Sequence, residues 1–288
     1  MTEVVGLIGF PIRHSISPAF QQPAFDAEAL DVRYEVWELP SEELSVAIER
    51  LNQPKCLGAN VTIPHKAAII PYLDAVDATA RAIGAVNTIV HRDEKLIGSN
   101  TDLIGFAEAL RRDAEFEPRG KRVLVCGAGG SARAVVAALA IGGAIKIDIC
   151  ARRIEQATNL IVDFHGALIA NGPTTLTAHQ LDQSSTLKSL VEEVELVVNT
   201  TPVGMLHRPE ADRSVLPIDW LYPGLVVFDL VYNPPETPML RAARERGART
   251  LNGLPMLVYQ GAASFERWTG RKAPVELMRR KALEALGG

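Results

Sequence analysis

Arg122-Val123-Leu124-Val125-Cys126-Gly127-Ala128-Gly129-Gly130-Ser131-Ala132 decides the fold. Val123 to Cys126 is an apolar run of strand length, stopped by glycines. Arg133 to Ile141 is alanine-rich and reads as a helix, and Ala144 to Cys150 reads as the next strand. Together they make a βαβ unit. A dinucleotide turn needs one glycine for the bend, a second for close approach to the pyrophosphate, and a third small residue where helix meets strand. Gly127, Gly129 and Ala132 fill those places, and Ala128, Gly130 and Ser131 complete the turn. The free N–H groups and dipole of the helix N-terminus attract phosphate. Glycines alone are weak evidence, and a purely structural turn is the alternative. Their place between strand and helix is the context that the dinucleotide reading requires.

The end of the second strand reports the cofactor. An NAD site puts Asp or Glu there for the ribose hydroxyls. This chain has Ala151-Arg152-Arg153, and Asp148 falls inside the strand, too early to reach the ribose. Two cations beside a helix start are unfavourable unless an anion lies nearby. Arg152 and Arg153 therefore favour a 2′-phosphate over plain surface charge, through charge-assisted hydrogen bonds.

Ahead of this unit lies Asn60-Val61-Thr62-Ile63-Pro64-His65-Lys66, after the apolar lead-in Cys56-Leu57-Gly58-Ala59. Pro64 stops the strand. The turn then projects an amide, a hydroxyl and an ammonium, a set suited to a small hydroxylated or carbonyl-bearing ligand. A turn with a solvated lysine is the plainer alternative. Val4 to Gly9 reads as a strand. Ser17 and Pro18 read as N-cap and first residue of a helix to Leu30, whereas Ser15 has no evident structural reason. Val32 to Leu39 reads as a strand, Ser41 as the cap of a helix, Asp74 to Ile83 as a helix, and Gly84 to Val90 as a strand with polar residues that need partners. Arg92 to Lys95 reads as a hairpin turn, Leu103 to Arg112 as a helix, and Arg112 to Gly120 as a linker. Later strands are expected at Ala167 to Ile169, Leu196 to Asn199 and Val226 to Leu230. Helices are expected after Thr237-Pro238, from Leu254 to Trp268 and from Pro274 to Leu286.

The 288 residues are 47% hydrophobic and 22% charged, as in a soluble globular protein. A net charge of −4 leaves no basic stripe, so nucleic acid is not an expected partner. Cys56, Cys126 and Cys150 sit in apolar runs and read as buried reduced thiols. The histidines, His14, His65, His91, His165, His179 and His207, form no metal pattern, and no metal site is expected. Val4 to Ile8 is too short for a leader or a membrane span. A cytoplasmic protein without membrane contact is the expectation.

Taken together, the motifs resemble the shikimate dehydrogenase family. They are Ser15-Ile16-Ser17-Pro18, Asn60 to Lys66, Gly84-Ala85-Val86-Asn87-Thr88, Asn100-Thr101-Asp102, Gly127 to Gly130, Asn199 to Met205, Asp229 to Pro234 and Asn252 to Met256. They span nearly the whole chain in order. The resemblance implies an α/β protein of two domains. An N-terminal α/β substrate domain with a mostly parallel sheet (residues 1–103) would be completed by C-terminal helices (254–288). A Rossmann-type NADP-binding domain (104–253) would be inserted. The implied reaction is the reversible NADPH-dependent reduction of 3-dehydroshikimate to shikimate, in the route to chorismate and the aromatic amino acids, by a monomer or homodimer. By motif match, Lys66 and Asp102 would be the catalytic pair. Ser15, Ser17, Asn60, Thr62, Asn87, Tyr232 and Gln260 would bind substrate, with Asp102 also holding a substrate hydroxyl. Thr201, Met205 and Gly253 would lie near the nicotinamide.

Two departures stand out. Gln21-Gln22 replaces the family's usual His-Asn, and Ala151-Arg152-Arg153 replaces Asn-Arg-Thr or Asn-Arg-Ser. A quinate or quinate/shikimate dehydrogenase is the nearest rival, but it would carry an acid after the second strand. A non-catalytic NADP-binding regulator would lack a complete Lys-Asp pair.

Overall fold

The computed structural model describes residues 2–165, 174–182 and 184–287. The chain forms two compact units, residues 1–105 with 258–288 and residues 106–257.

In chain order the elements begin with β1 (Glu3–Gly9), α1 (Ser17–Ala27), β2 (Val32–Glu38), α2 (Leu44–Leu51), β3 (Cys56–Val61) and β4 (Ala75–Val76). They continue with α3 (Ala78–Ile83), β5 (Thr88–Arg92), β6 (Lys95–Ser99) and α4 (Asp102–Arg112). Next come β7 (Arg122–Cys126), α5 (Gly130–Ile141), β8 (Lys146–Ala151), α6 (Ile154–His165), β9 (Thr175–Gln180) and α7 (Ser185–Glu193). The last are β10 (Leu196–Asn199), β11 (Val226–Asp229), α8 (Pro238–Glu245), β12 (Arg249–Leu251), α9 (Leu254–Thr269) and α10 (Val275–Ala285).

The first unit has a six-stranded sheet in the order β2-β1-β3-β5-β6-β4. It is parallel except at β3–β5 and β5–β6. The hairpin at Asp93-Glu94 forms as expected, both residues taking positive φ (51° and 58°), the geometry that matches strand twist. One face is covered by an apolar cluster that includes Ile8, Trp37, Leu44, Ile69 and Ile89.

The second unit has a six-stranded, wholly parallel sheet, β12-β11-β10-β7-β8-β9. Its inner strands β7, β10 and β11 read as near-continuous apolar runs, as strands buried on both faces do, whereas the edge strands β9 and β12 are more polar and more exposed. The order reverses between β7 and β10, and ligands of such sheets bind at that switch point, beyond the strands' carboxyl ends.

Several local expectations are corrected. Helix α1 starts at Ser17 itself, with no side-chain cap, because the Ala19 N–H donates to the Ile16 carbonyl (3.0 Å). Ser15 acquires the structural reason it lacked: its Oγ accepts the Ser17 N–H at 3.3 Å. Ser41 opens a 3-10 turn, Ser41–Glu43, rather than capping α2, since the Pro40 carbonyl takes the Glu43 N–H (3.0 Å). The expected helix from Asp74 begins only at Ala78. Asp74 is tied to β6 through Leu96, and Asp77 is the cap, its Oδ1 accepting the Ala80 N–H at 2.7 Å. Gly84 takes the left-handed conformation that ends α3 (φ 68°), so the next strand starts at Thr88. The expected linker 112–120 packs within the second unit: Ala114 and Phe116 are buried, and the Ala114 carbonyl accepts from Arg249 Nη1 (3.0 Å). The strand expected at Ala167 to Ile169 lies outside the described residues. The helix start read after Arg153 is that of α6, whereas strands β9 and β12 and helix α7 were not anticipated.

Candidate functional site

In the first unit the chain leaves β3 and turns through Thr62 to Lys66. The turn is held by the His65 N–H on the Thr62 carbonyl (2.9 Å) and the Val86 N–H on the Lys66 carbonyl (2.7 Å). His65, fully buried, bonds through Nε2 to the Leu39 carbonyl at 2.7 Å and fixes the turn against the end of β2. Lys66 Nζ thereby meets Asp102 Oδ2 at 2.6 Å. The pair is largely removed from water, with side-chain exposures of 14% and 8%. Asp102 is the first residue of α4, where the helix dipole favours a carboxylate. Its second oxygen accepts from Asn87 Nδ2 (2.8 Å).

Asn87 supplies the polar strand-end group that needed partners. Its Nδ2 also faces Thr101 Oγ1 (3.0 Å) and Gln260 Oε1 (3.3 Å), while its Oδ1 accepts the Thr101 N–H (2.6 Å). Lys66, Asp102, Asn87 and Gln260 are thus brought into one network. Asn60 joins it by a different route. Its Oδ1 accepts from Tyr34 Oη (2.8 Å), and its Nδ2 reaches Ser264 Oγ (3.0 Å), Thr88 Oγ1 (3.3 Å) and the Asn87 carbonyl (3.3 Å). Both the oxygen and the nitrogen of the Asn60 amide therefore have partners within the protein. Burial pushes the Tyr34 hydroxyl pKa up, which keeps it a neutral donor to Asn60. Ser15, Ser17 and half-buried Thr62 make no side-chain hydrogen bond to this network among the described residues. Sequence reading missed Tyr34, Thr88, Thr101 and Ser264. A run of hydroxyls beside Asn87 and Asp102 was the available signal.

In the second unit, Gly127 has φ 113°, and a Cβ there would overlap Thr200 Oγ1, so only glycine fits between the ends of β7 and β10. At Gly129 a Cβ would meet nothing within 4 Å, so the space in front of α5 is open. Gly129 holds the N-cap position with no side-chain cap, leaving the first-turn N–H groups to a ligand. Ala132 is fully buried where helix meets strand. These features fit a dinucleotide pyrophosphate spanning Gly127 to Ser131.

Arg152 follows the last residue of β8, is 77% exposed, and lies 3.6 Å from the Glu210 carboxylate. Arg153 is exposed too. Asp148 faces away from any ribose role: it is buried and held by His179 Nε2 (2.7 Å) and Lys146 Nζ (3.2 Å). Thr201 is fixed by Asn199, whose Oδ1 accepts the Thr201 N–H (2.9 Å) and Oγ1–H (2.7 Å). Asn199 Nδ2 donates to Asp229 Oδ1 (2.9 Å) and the Val203 carbonyl (3.2 Å). Asp229, fully buried at the end of β11, also accepts from Thr237 Oγ1 (2.7 Å) and the Val231 N–H (3.1 Å). Burial outweighs those bonds and pushes its pKa up to about 6. Met205 is held in the same loop, its N–H on the Pro202 carbonyl (3.1 Å). A Cβ on Gly253 would collide with the Leu230 carbonyl. Tyr232 stands two residues beyond Leu230, with its hydroxyl pKa raised by burial. The Asn199–Asp229 pair was not anticipated, although a polar residue closing each apolar strand marks it.

Among the described residues no helix is long and apolar enough to cross a membrane, and no group of three or more His, Cys, Asp or Glu could hold a metal ion.

Residues 7–89 match the family model for the shikimate dehydrogenase substrate binding domain, and residues 253–283 that for the shikimate 5′-dehydrogenase C-terminal domain. A shikimate dehydrogenase (NADP+) of Moorella thermoacetica is 47% identical over 99% of this chain and 94% of its own length. The chain belongs to the shikimate dehydrogenase family. Another shikimate dehydrogenase (NADP+), from Geobacillus kaustophilus, is 41% identical over 99% of both chains. Among solved structures, a shikimate dehydrogenase in complex with NADP+ superposes with a TM-score of 0.89 at 37% identity, covering 99% of this chain and 96% of that one. The shikimate 5-dehydrogenase of Thermus thermophilus in complex with NADP(H) and shikimate gives 0.86 at 33% identity, covering 99% and 100%. The quinate dehydrogenase of Corynebacterium glutamicum in complex with NAD gives 0.88 at 28% identity, covering 98% and 99%. The family's substrate-domain model takes in Lys66 and Asn87.

Proposed function

We propose that this chain catalyses the reversible, NADPH-dependent reduction of 3-dehydroshikimate to shikimate. The observation that carries the reading is the shielded Lys66–Asp102 ion pair at 2.6 Å, set in a network of amides and hydroxyls in a chain of this family. Bound NADPH supplies the hydride for the ring ketone carbon. The ketone oxygen must then gain a proton and, on the way, negative charge. Lys66 Nζ presents both N–H and positive charge, help of a kind typically worth about 10²–10⁴-fold. Asp102 fixes the ammonium with one oxygen. Asn87 fixes Asp102 through the other. Asn87, Asp102 and Gln260 are the groups we assign to the ring hydroxyls, with Ser15 and Ser17 on the carboxylate. Asn60 and Thr62 complete the substrate set, Asn60 from a position braced by Tyr34 and Ser264. Residues 1–103 with 254–288 form the substrate domain, and 104–253 the cofactor domain. Gly127 to Ala132 hold the pyrophosphate, Arg152 and Arg153 the 2′-phosphate, and Thr201, Met205 and Gly253 the nicotinamide end. The three thiols, all free and buried, fit the reducing cytoplasm, and a monomer or homodimer is the expected form.

Reduction of NADP+ and of NAD+, each measured with shikimate and with quinate, tests this. We expect the highest kcat/KM for the shikimate–NADP+ pair. Quinate carries one added hydroxyl, which a pocket excludes weakly, so the margin over quinate should be modest. Quinate turned over as well as shikimate would establish a quinate/shikimate dehydrogenase instead.

A further inference from the structure

Arg152 marks the end of β8, just before α6, and the position of a cation there asks for an anion. In this chain an anion is already present: the Glu210 carboxylate lies 3.6 Å from Arg152 Nη1. Glu210 is not on a swinging tail. Its carbonyl accepts both the Gly204 N–H (2.9 Å) and the Arg213 N–H (3.1 Å), which sets the carboxylate within a braced loop. The Arg152 carbonyl is likewise fixed, by Gln180 Nε2 at 2.5 Å.

We propose that Glu210 competes with the cofactor 2′-phosphate for Arg152 and so sets the margin by which NADP is preferred over NAD. The inference rests on the cofactor reading above. A phosphate monoester carries about −1.5 to −2 charge and three acceptor oxygens, against one charge on the carboxylate, so the phosphate displaces Glu210 from the guanidinium. Glu210 then stands beside a second anion. Both effects weaken NADP binding. Neither acts on NAD, whose ribose bears a neutral hydroxyl. With side-chain exposures of 77% and 32%, solvent screens the pair, so the competition is worth a few-fold and not orders of magnitude.

The test is calorimetric titration of the full chain with NADP+ and with NAD+. Glu210→Gln should tighten NADP+ binding about three- to fivefold and change NAD+ binding less than twofold. In an Arg152→Ala background the same substitution should have a smaller effect on NADP+. An unchanged or weakened NADP+ affinity in Glu210→Gln would overturn the proposal, as would an equal gain for NAD+, which would show a general charge effect. If the unaltered chain binds NADP+ no more tightly than NAD+, the cofactor reading fails first and the inference with it.

Discussion

Lys66 is placed by two constraints, the braced turn behind it and the carboxylate in front of it, at 2.6 Å. Its work belongs to the transition state, so its removal should show in kcat rather than in binding. We expect Lys66→Ala to lower kcat by about 10²–10⁴-fold, while calorimetry finds shikimate affinity changed less than about tenfold. Near-normal turnover in that variant removes the lysine from the mechanism. Asp102→Asn should behave similarly, because a neutral amide no longer holds the ammonium. Arg152→Ala belongs to the same scale. Charge-assisted hydrogen bonds contribute about 1.5–3 kcal/mol, so NADP+ affinity should fall roughly tenfold or more, with NAD+ little changed. An unaltered ratio between the two cofactors would remove Arg152 from the 2′-phosphate site. At this scale the sequence was legible where function demands an unusual residue in an unusual place: a lysine after a strand-ending proline, or arginines at a helix start. It was less so for roles set by distant partners. Ser17 read as a helix cap and Ser15 as lacking a structural reason. Yet α1 opens at Ser17 with no side-chain cap, and Ser15 Oγ accepts the Ser17 N–H, because which oxygen meets which N–H depends on where the helix begins. Asn60 read as an open ligand group, yet its amide is satisfied by Tyr34 and Ser264, neither of which is near it in sequence.

Among elements, the ends of β10 and β11 carry the most consequence, since Asn199 and Asp229 tie both strand ends to the loop holding Thr201. The raised carboxyl of Asp229 makes this tie pH-dependent. Its pKa rises from 3.8 unfolded to about 6 in the fold, chiefly by burial. The folded chain therefore binds the proton more tightly, and stability falls as pH rises across the window from about 4 to about 6. At 1.36 kcal/mol per pK unit the loss is about 3 kcal/mol at most. Denaturant unfolding between pH 4 and 8 should show the unaltered chain losing stability relative to Asp229→Asn over that window. Parallel pH profiles for the two would mean that the carboxyl does not titrate there. Elements themselves were read well where apolar runs meet strong punctuation, as at β7 with α5 and at Thr237 before α8. They were misread where a short strand borrows its partner from afar. Two-residue β4 exists only because β6 lies beside it, and Asp74 to Val76 otherwise resembles the start of a helix.

Across the whole molecule, the α/β class was legible because the one βαβ unit from Arg122 to Cys150 is a local pattern, while the mostly parallel sheet of the first unit followed only from the family resemblance. The strand order, in contrast, depends on which runs neighbour one another in space, and no residue states it. The two units each have a six-stranded sheet and a separate apolar cluster. This organisation carries a final expectation, for amide hydrogen exchange with one ligand at a time. A ligand that binds only the folded form stabilises it by RT ln(1 + [L]/Kd), about 2.7 kcal/mol at a hundredfold excess over Kd. That slows exchange about a hundredfold for amides exposed by openings that destroy its site, and leaves openings elsewhere unaffected. NADP+ alone should therefore protect β7, the first turn of α5 and residues 200–204. Shikimate alone should protect the ends of β3 and β5 and the start of α4, around Asn60, Asn87 and Asp102. Protection confined to these separate sets supports the division of labour between the units. Shikimate protecting the Gly127 turn while leaving β3 and β5 unchanged would reverse the assignment of substrate and cofactor to the two units.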